Sequence, residues 1–215
     1  MKSMRKFLSA AIVFSKTDHD ATFMHMKEDH MKNGQFQVGH NIQAATSNQY
    51  ILDYALFPNP TDFKTFEPFL AQMKSRNILD KVQNIVADAG YGSEYNYSLL
   101  EEKYEDKDYF IPYTTYEKEQ TRKYKNDPSG RQRQMHYNPD WQSLKTKAKE
   151  VLQSKEGKEI YGMRKNDVEP IFGHMKNVFG MRRAHLRGKE KVEMDVGMMF
   201  LMMNLSKYWT RDVRY

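Results

Sequence analysis

The clearest apolar pattern in the chain predicts a helix that carries Glu169. Apolar side chains recur there every three or four residues, which is the spacing of one buried helical stripe. Lys176 lies two turns beyond Glu169 on the same flank, and Gly173 between them leaves room beside the carboxylate. Asn166 or Asp167 is the predicted helix cap, with Pro170 tolerated in the first turn. The stripe consists of Val168, Ile171, Phe172, Met175 and Phe179.

Alternating and apolar runs predict an α/β arrangement in the first half of the chain. The elements are a hairpin of strands 40–46 and 50–57, a helix over 61–75, a buried strand over 82–88, a helix from Ser93 to Tyr104, and a strand over 108–112.

The pattern changes after residue 112. Residues 113–138 are polar, with tyrosines interleaved among Arg and Lys, which suits stacking on nucleic acid but is equally typical of a disordered linker. Helices are predicted from 139 or 140 to 154, around Glu169, and from Lys189 to Trp209. The last is predicted to be buried along the side that contains Val192, Val196, Met199, Phe200, Met203 and residues 205–209. The predicted segments are an irregular 1–33, a sheet and helices over 34–112, an insertion or arm over 113–138, and helices over 139–215.

Composition narrows the class of protein. A chain of 215 residues fits one main domain with an insertion. The absence of cysteine excludes disulfides and cysteine-based zinc sites and favours a reducing compartment, so we expect a cytoplasmic protein. No apolar run approaches the length of about eighteen residues that predicts a membrane span.

Charge is distributed unevenly along the chain. Residues 1–112 carry a net charge of −3 and residues 113–215 a net charge of +9, which together give the overall +6. Between Lys176 and Lys191 there are six cations and one acid, which is typical of a surface that meets phosphates, although a solvated basic face has a similar composition. The cations of interest are Lys176, Arg182, Arg183, Arg187 and Lys191.

Two acids are candidate functional residues. Asp88 ends a buried strand ahead of a glycine-rich turn, where open α/β sheets place functional groups, but it equally suits a carboxylate that accepts N–H bonds within its own turn. Glu169 near a helix start is also explained by the helix dipole and by pairing with Arg164 or Lys176.

Taken together, the motifs resemble the catalytic core of DDE transposases from bacterial insertion sequences. Val86-Ala-Asp88-Ala-Gly-Tyr91-Gly is similar to the block around the family's second catalytic Asp. Tyr161-x-x-Arg164 with Glu169 and Lys176 is similar to its tyrosine–arginine–glutamate–lysine signature, with four residues rather than three between Arg and Glu. The resemblance implies a ribonuclease-H-like mixed sheet flanked by helices.

The resemblance also implies a chemistry, which is Mg²⁺- or Mn²⁺-dependent cleavage and strand transfer on the double-stranded DNA of transposon ends. Asp88 and Glu169 would be metal ligands and catalytic residues. Arg164 and Lys176 would hold DNA phosphates, together with Arg182, Arg183, Arg187 and Lys191.

One departure from the family concerns the first catalytic Asp, whose Asp-Gly-Thr motif does not occur in this sequence. We therefore expect the carboxyl-terminal part of a longer transposase, without the first core strand and inactive alone, with a homo-oligomer or full-length transposase as partner. No catalytic role is carried onto Asp18 or Asp20. The alternatives are a non-catalytic DNA-binding or transposase-inhibiting protein, and a decayed reading frame with no function beyond its fold.

Overall fold

The computed structural model describes residues 18–25, 36–121, 138–181 and 183–213. The chain divides into two compact units. Unit 1 contains 1–43, 55–60 and 181–215, and unit 2 contains 44–54 and 61–180. The described residues given above as site candidates therefore fall into two groups: Asp88, Arg164, Glu169 and Lys176 belong to unit 2, and Arg183, Arg187 and Lys191 belong to unit 1.

The strands of the described residues pair as three two-stranded sheets. β1 and β2 pair antiparallel, β3 pairs with β4, and β5 and β6 are parallel. The strands are β1 Thr22–His25, β2 Phe36–Gly39, β3 Asn41–Ser47, β4 Tyr50–Phe57, β5 Asn84–Val86 and β6 Asp108–Phe110.

Helices make up most of the remaining regular structure. The helices are α1 Phe66–Ser75, α2 Glu94–Lys103, α3 Tyr116–Gln120, α4 Pro139–Gln153, α5 Lys155–Asp167, α6 Glu169–Asn177 and α7 Lys189–Tyr208. Short 3-10 turns occupy Asp62–Lys64 and Leu79–Lys81, and a π-turn over Trp209–Val213 follows α7. None of the helices in the described part of the chain has the length and apolar character that crossing a bilayer requires.

Several local predictions are confirmed. The hairpin forms, and Asn48 and Gln49 turn its corner with positive φ angles of 51° and 65°, the conformation that two-residue hairpin turns require. The Ser93 side chain accepts the N–H of Asn96 and caps α2, because a hydroxyl at this position satisfies a backbone donor that the helix cannot. Mixed α/β structure is confirmed, whereas a single ribonuclease-H-like sheet stays a prediction.

The run predicted as a buried strand over 82–88 is shorter in the structure, and β5 covers only Asn84–Val86. Ile85 is buried, while Asn84 is exposed and Val86 is half-buried. A strand inside a larger sheet needs apolar cover on both faces, and this run supplies only one fully buried side chain.

Aromatic residues make the centre of unit 2. Tyr97 is fully buried and donates a hydrogen bond of 2.6 Å to the carbonyl of Ile111. Trp141 of α4 lies against Tyr97 and Tyr113, with ring centroids 5.6 and 6.4 Å apart. Because Tyr113 is buried in this cluster, it is not available to stack on nucleic acid. Of the rest of the predicted arm, residues 114–121 are described and include α3, whereas 122–137 lie outside the described residues.

The predicted cap of the Glu169 helix is wrong. α5 runs through Asn166 and Asp167, and α6 begins directly afterwards with Val168 as its N-cap and no side-chain capping bond. The Asp167 carboxylate instead accepts a hydrogen bond from the Thr46 hydroxyl at 3.0 Å and another from the Gln49 N–H. The Asp167 carboxylate is therefore used by the hairpin rather than by the first turn of α6.

α7 is the main helix of unit 1. Its buried face holds Val192, Val196, Phe200 and Met203, as predicted. The prediction that the side from Leu205 to Trp209 is buried is wrong, since Leu205, Tyr208 and Trp209 are exposed. The helix is apolar on both faces, so periodicity alone does not identify the buried one.

Candidate active site

Asp88 lies two residues beyond β5 and begins a tight turn. The Gly90 N–H donates a hydrogen bond of 2.8 Å to Asp88 Oδ1, and the Tyr91 N–H donates one of 3.2 Å to the Asp88 carbonyl. The structural role considered for Asp88 from the sequence, an Asx turn, is therefore present. The bond orients the half-buried carboxylate without excluding a further role, because a carboxylate accepts several hydrogen bonds or metal ligands.

Asp62 is a second acid beside Asp88. A Cβ built on Gly90 would lie 2.9 Å from Asp88 Oδ1 and 3.2 Å from Asp62 Oδ2. Because both oxygens lie that near to one point, the distance between them cannot exceed the sum of the two values, and the carboxylates are neighbours. Asp62 begins the short 3-10 turn Asp62–Lys64 that precedes α1. Its neighbour Thr61 takes the cap position without a side-chain bond, and the Asp62 carboxylate lies beside the Asp88 turn instead.

Arg164 and Glu169 interact across the junction of α5 and α6. Arg164 Nη2 lies 3.8 Å from Glu169 Oε1, and the guanidinium lies over the Tyr161 ring at 5.5 Å from its centroid. The Arg164 side chain is 18% exposed and the Glu169 side chain 61% exposed. A pair with one partner in solvent is weak, so Glu169 keeps most of its carboxylate accessible.

Besides burial, the pKa of Tyr161 responds to the charges of both Arg164 and Asp88. Burial raises the pKa of Tyr161 above its ordinary value; the Arg164 guanidinium opposes this, and the negative charges of Asp88 and Glu117 add to it. α5 also packs against β5 and β6. The structure therefore brings Arg164 to Glu169 and places Tyr161 within the electrostatic reach of both Arg164 and Asp88, although it shows no direct contact between Asp88 and Glu169.

The flank of α6 beyond Glu169 is open, as the sequence predicts. A Cβ at Gly173 would meet no atom within 4 Å. Lys176 is half-buried two turns from Glu169, where its ammonium follows the same side of the helix. Ile171 and Met175 form the buried face.

The cations Arg182, Arg183, Arg187 and Lys191 make up what is called here the basic segment. Arg183, Arg187 and Lys191 are exposed in unit 1, while Arg182 lies outside the described residues. Nearby, Asp18 Oδ2 accepts the Gly188 N–H at 3.1 Å and Asp20 Oδ2 accepts the Lys189 N–H at 2.8 Å.

The two aspartates thus satisfy backbone donors at the start of α7. Burial alone would raise the pKa of Asp18, but hydrogen bonds from Gly188, Asp20 and His40 outweigh it and lower the pKa. The observed role of Asp18 and Asp20 is therefore structural.

The donors around Asp88 suit a hard divalent cation. Carboxylate oxygens are the ligands that Mg²⁺ prefers, and it is commonly held by one or two carboxylates together with substrate phosphates and water. Within residues 18–25, 36–121, 138–181 and 183–213 no three acidic, histidine or cysteine side chains are grouped as a metal site. The carboxylates of Asp88 and Asp62 fit such an ion as two oxygen donors, and its remaining ligands would come from outside this pair.

Comparison with known proteins gives a family. The sequence-family model of the transposase DDE domain matches residues 14–205 of the chain. No curated protein and no solved structure matches the chain. The match covers both acids, the Tyr161–Arg164 pair and the basic segment, so the chain belongs to the transposase DDE domain family.

Proposed function

We propose that this chain supplies Asp88 and Glu169 to the Mg²⁺-dependent cleavage and strand transfer of transposon-end DNA, on a ribonuclease-H-like core. Members of the family bind DNA and generally use a divalent metal. The observation that supports these particular residues is the position of Arg164, which pairs with Glu169 and lies over Tyr161 on α5, the helix that packs against β5 and β6.

Each residue has a role that follows from its chemistry. A divalent metal ion held by these residues would activate a water or a 3′ hydroxyl and neutralise charge on the reacting phosphate. Asp88 is oriented by the Gly90 N–H and presents its carboxylate as a metal ligand, with Asp62 beside it. Glu169, mostly exposed at the start of α6, is the second predicted ligand. Lys176 contributes a positive charge along the open flank of α6.

Arg164 is suited to hold a DNA phosphate. Among the described residues no acceptor meets its buried Nε, although buried donors in folded proteins are almost always satisfied. A guanidinium binds phosphate through two parallel N–H bonds, so a movement of the side chain away from Tyr161 toward DNA would give that donor a phosphate oxygen. The long 3.8 Å contact with Glu169 leaves the guanidinium free to exchange partners when DNA arrives.

Asp88→Asn tests the metal role through DNA affinity. Without metal the carboxylates repel the phosphates, and a shared Mg²⁺ converts that repulsion into attraction. We expect Mg²⁺ to tighten binding of the wild-type chain to a duplex with free 3′ hydroxyls by about tenfold, or about 1.4 kcal/mol. Asp88→Asn should lose most of this response in fluorescence anisotropy titrations performed at constant ionic strength.

Asp80→Asn is the matched control, because it removes the same charge from an exposed acid of unit 2. It should keep the full Mg²⁺ response. If wild-type affinity proves indifferent to Mg²⁺ and to Glu169→Gln, the metal role is refuted and the non-catalytic DNA-binding alternative is favoured.

The basic segment is tested through salt dependence. Each phosphate contact contributes about 0.9 to the slope of log affinity against log salt. We expect Arg183→Ala/Arg187→Ala to reduce that slope by about 2, because both side chains are exposed and would meet phosphates. Lys155→Ala/Lys158→Ala removes the same charge from exposed positions of α5 and should change the slope by less than half as much. Equal changes for the two pairs would assign binding to net charge alone.

A further inference from the structure

Asn96 is a buried polar residue of α2 that joins the two turns carrying Asp62 and Asp88. It is 0% exposed. Its side-chain nitrogen donates hydrogen bonds of 3.1 Å to the Phe63 carbonyl and 2.8 Å to the Tyr91 carbonyl. Phe63 directly follows Asp62, and Tyr91 ends the turn that Asp88 begins. One amide group of α2 is therefore bonded to both acid-bearing turns.

Each of the two turns also has bonds of its own. The Asp62 carbonyl accepts the Thr65 N–H at 2.9 Å and the Thr65 hydroxyl at 2.7 Å, and the Asp88 carbonyl accepts the Tyr91 N–H at 3.2 Å. Such local bonds fix the shape of one turn and not its distance from the other. The rings of Phe66 and Tyr91, with centroids 5.5 Å apart, add an apolar contact between the turns, but such a contact has little directional preference. The Asn96 amide supplies the directional link.

The other half of the same amide shows that Asn96 contributes little net stability. Among the described residues its buried Oδ1 has no hydrogen-bond donor. A buried acceptor without a partner costs about as much stability as donated hydrogen bonds contribute. The specific result of the two donated bonds is therefore the fixed separation of the turns rather than a more stable fold.

From these contacts we propose that Asn96 is a positioning residue, which holds the Asp62 and Asp88 turns close enough for both carboxylates to bind one divalent cation. The metal-binding part of this inference rests on the function proposed above, whereas the positioning of the turns does not. Asn96 has no exposed surface, so it acts through the turns and touches neither a metal nor DNA. Mg²⁺ demands near-ideal octahedral geometry, and a small separation of the turns is therefore enough to weaken its binding.

The separation of the turns is tested without metal or DNA. The chain contains no cysteine, so Asp62→Cys/Asp88→Cys introduces a single pair of thiols, one on each turn. In this background we expect Asn96→Ala to slow crosslinking by a short bifunctional thiol reagent about tenfold, because the two thiols are then no longer held together. The rate at which each thiol reacts with a monofunctional reagent should stay the same.

Leu152→Ala in the same background is the control for a general loss of stability. Leu152 is a buried residue of α4 and lies in neither turn. Its truncation leaves a cavity, so the melting temperature should fall while the crosslinking rate stays unchanged. Equal slowing by Leu152→Ala and Asn96→Ala would show that Asn96 only stabilises the fold, and would overturn the proposal. An unchanged rate in Asn96→Ala would overturn it as well.

Asn96→Ser is a milder variant that keeps the proposal testable if Asn96→Ala does not fold. A hydroxyl donates one hydrogen bond, whereas the amide donates two. The crosslinking rate with serine at this position should therefore lie below the rate with asparagine and above the rate with alanine. A rate equal to that with asparagine would show that bonding to both turns is unnecessary, which contradicts the proposed role.

The metal-binding part is tested through the Mg²⁺ response of DNA affinity, with Asp62 and Asp88 intact. We expect Asn96→Ala to reduce the tightening by Mg²⁺ from about tenfold to about twofold or less. The affinity without Mg²⁺ should stay unchanged, because the substitution removes no charge. Leu152→Ala should keep the full response.

The two measurements separate the positioning role from the proposed function. Slowed crosslinking in Asn96→Ala, combined with no Mg²⁺ response in the wild-type chain, would confirm the positioning and refute the metal role of the two carboxylates. A full Mg²⁺ response in Asn96→Ala despite slowed crosslinking would overturn the metal-binding part of the inference alone. A full response together with normal crosslinking would overturn both parts of the inference and leave the proposed function standing.

Discussion

Lys145→Met is expected to lower the free energy of unfolding by about 3–5 kcal/mol, because it leaves the buried carboxylate of Glu119 without its cation. Lys145 Nζ lies 2.9 Å from Glu119 Oε1, and both side chains are about 10% exposed. The Glu119 carboxylate also accepts hydrogen bonds from the hydroxyls of Tyr113 and Thr115, at 2.5 and 2.8 Å. Urea unfolding followed by circular dichroism measures the loss.

Lys147→Met is the control, because it breaks an ion pair of similar length on the same helix. Lys147 Nζ lies 2.8 Å from Glu101 Oε2, but the lysine side chain is 56% exposed. Solvent screens this pair, so the loss should stay below about 1 kcal/mol. Equal losses for the two variants would contradict the importance of burial.

The same buried pair gives the stability a dependence on pH. Burial by itself would raise the pKa of Glu119, but the bonds from Tyr113, Lys145 and Thr115 outweigh it and hold the pKa below the ordinary 4.5. The carboxylate therefore stabilises the fold above about pH 4.5, and this contribution is lost as pH falls toward the lowered pKa. Between pH 5 and 3 wild type should lose stability more steeply than Glu119→Gln.

Gly92→Ala is expected to cost about 3 kcal/mol or more, since the added methyl group has no space. Gly92 pairs with Tyr113 in an isolated parallel bridge. A Cβ at Gly92 would lie 2.7 Å from Tyr113 Cα and 2.9 Å from the Pro112 carbonyl carbon, and backbone atoms cannot move aside as a flexible side chain can. Thermal unfolding should show the loss directly.

Gly162→Ala separates crowding from the general effect of removing a glycine. Gly162 lies inside α5, and a Cβ there would meet no atom within 4 Å. Alanine is the better helix former, so the free energy of unfolding of this variant should rise by about 0.5–1 kcal/mol.

An unchanged stability of Gly92→Ala would contradict the prediction. It would show that the backbone at the bridge to Tyr113 moves easily, and that glycine is not required at that position.

Local signals in the sequence predicted local structure well. The hairpin follows from two strand-like runs around a short turn, and the α2 cap from a serine ahead of a helical run, because each signal and its result lie within a few residues. The capping prediction for α6 failed because a distant backbone donor, the Gln49 N–H, competes for Asp167. No spacing rule includes such a partner.

In the candidate site, too, neighbouring residues were predicted from the sequence and a distant partner was not. The motifs identified the stretch containing Tyr161, Arg164 and Glu169, and the structure shows Arg164 contacting both of the others. The proximity of Asp62 to Asp88 was not predictable, since it depends on the fold bringing a helix start beside a strand end. The metal-binding and catalytic roles of Asp88 and Glu169 stay predictions.

The chain holds two tryptophans, and they fall in different units. Trp141 lies half-buried among the aromatic rings of unit 2, while Trp209 is exposed at the end of α7 in unit 1. An indole emits at shorter wavelength when it is shielded from water, so we expect the intrinsic fluorescence to contain a component at shorter wavelength from Trp141 and one at longer wavelength from Trp209. Replacing either indole with phenylalanine leaves a single optical reporter, with which the melting of each unit is followed in the intact chain.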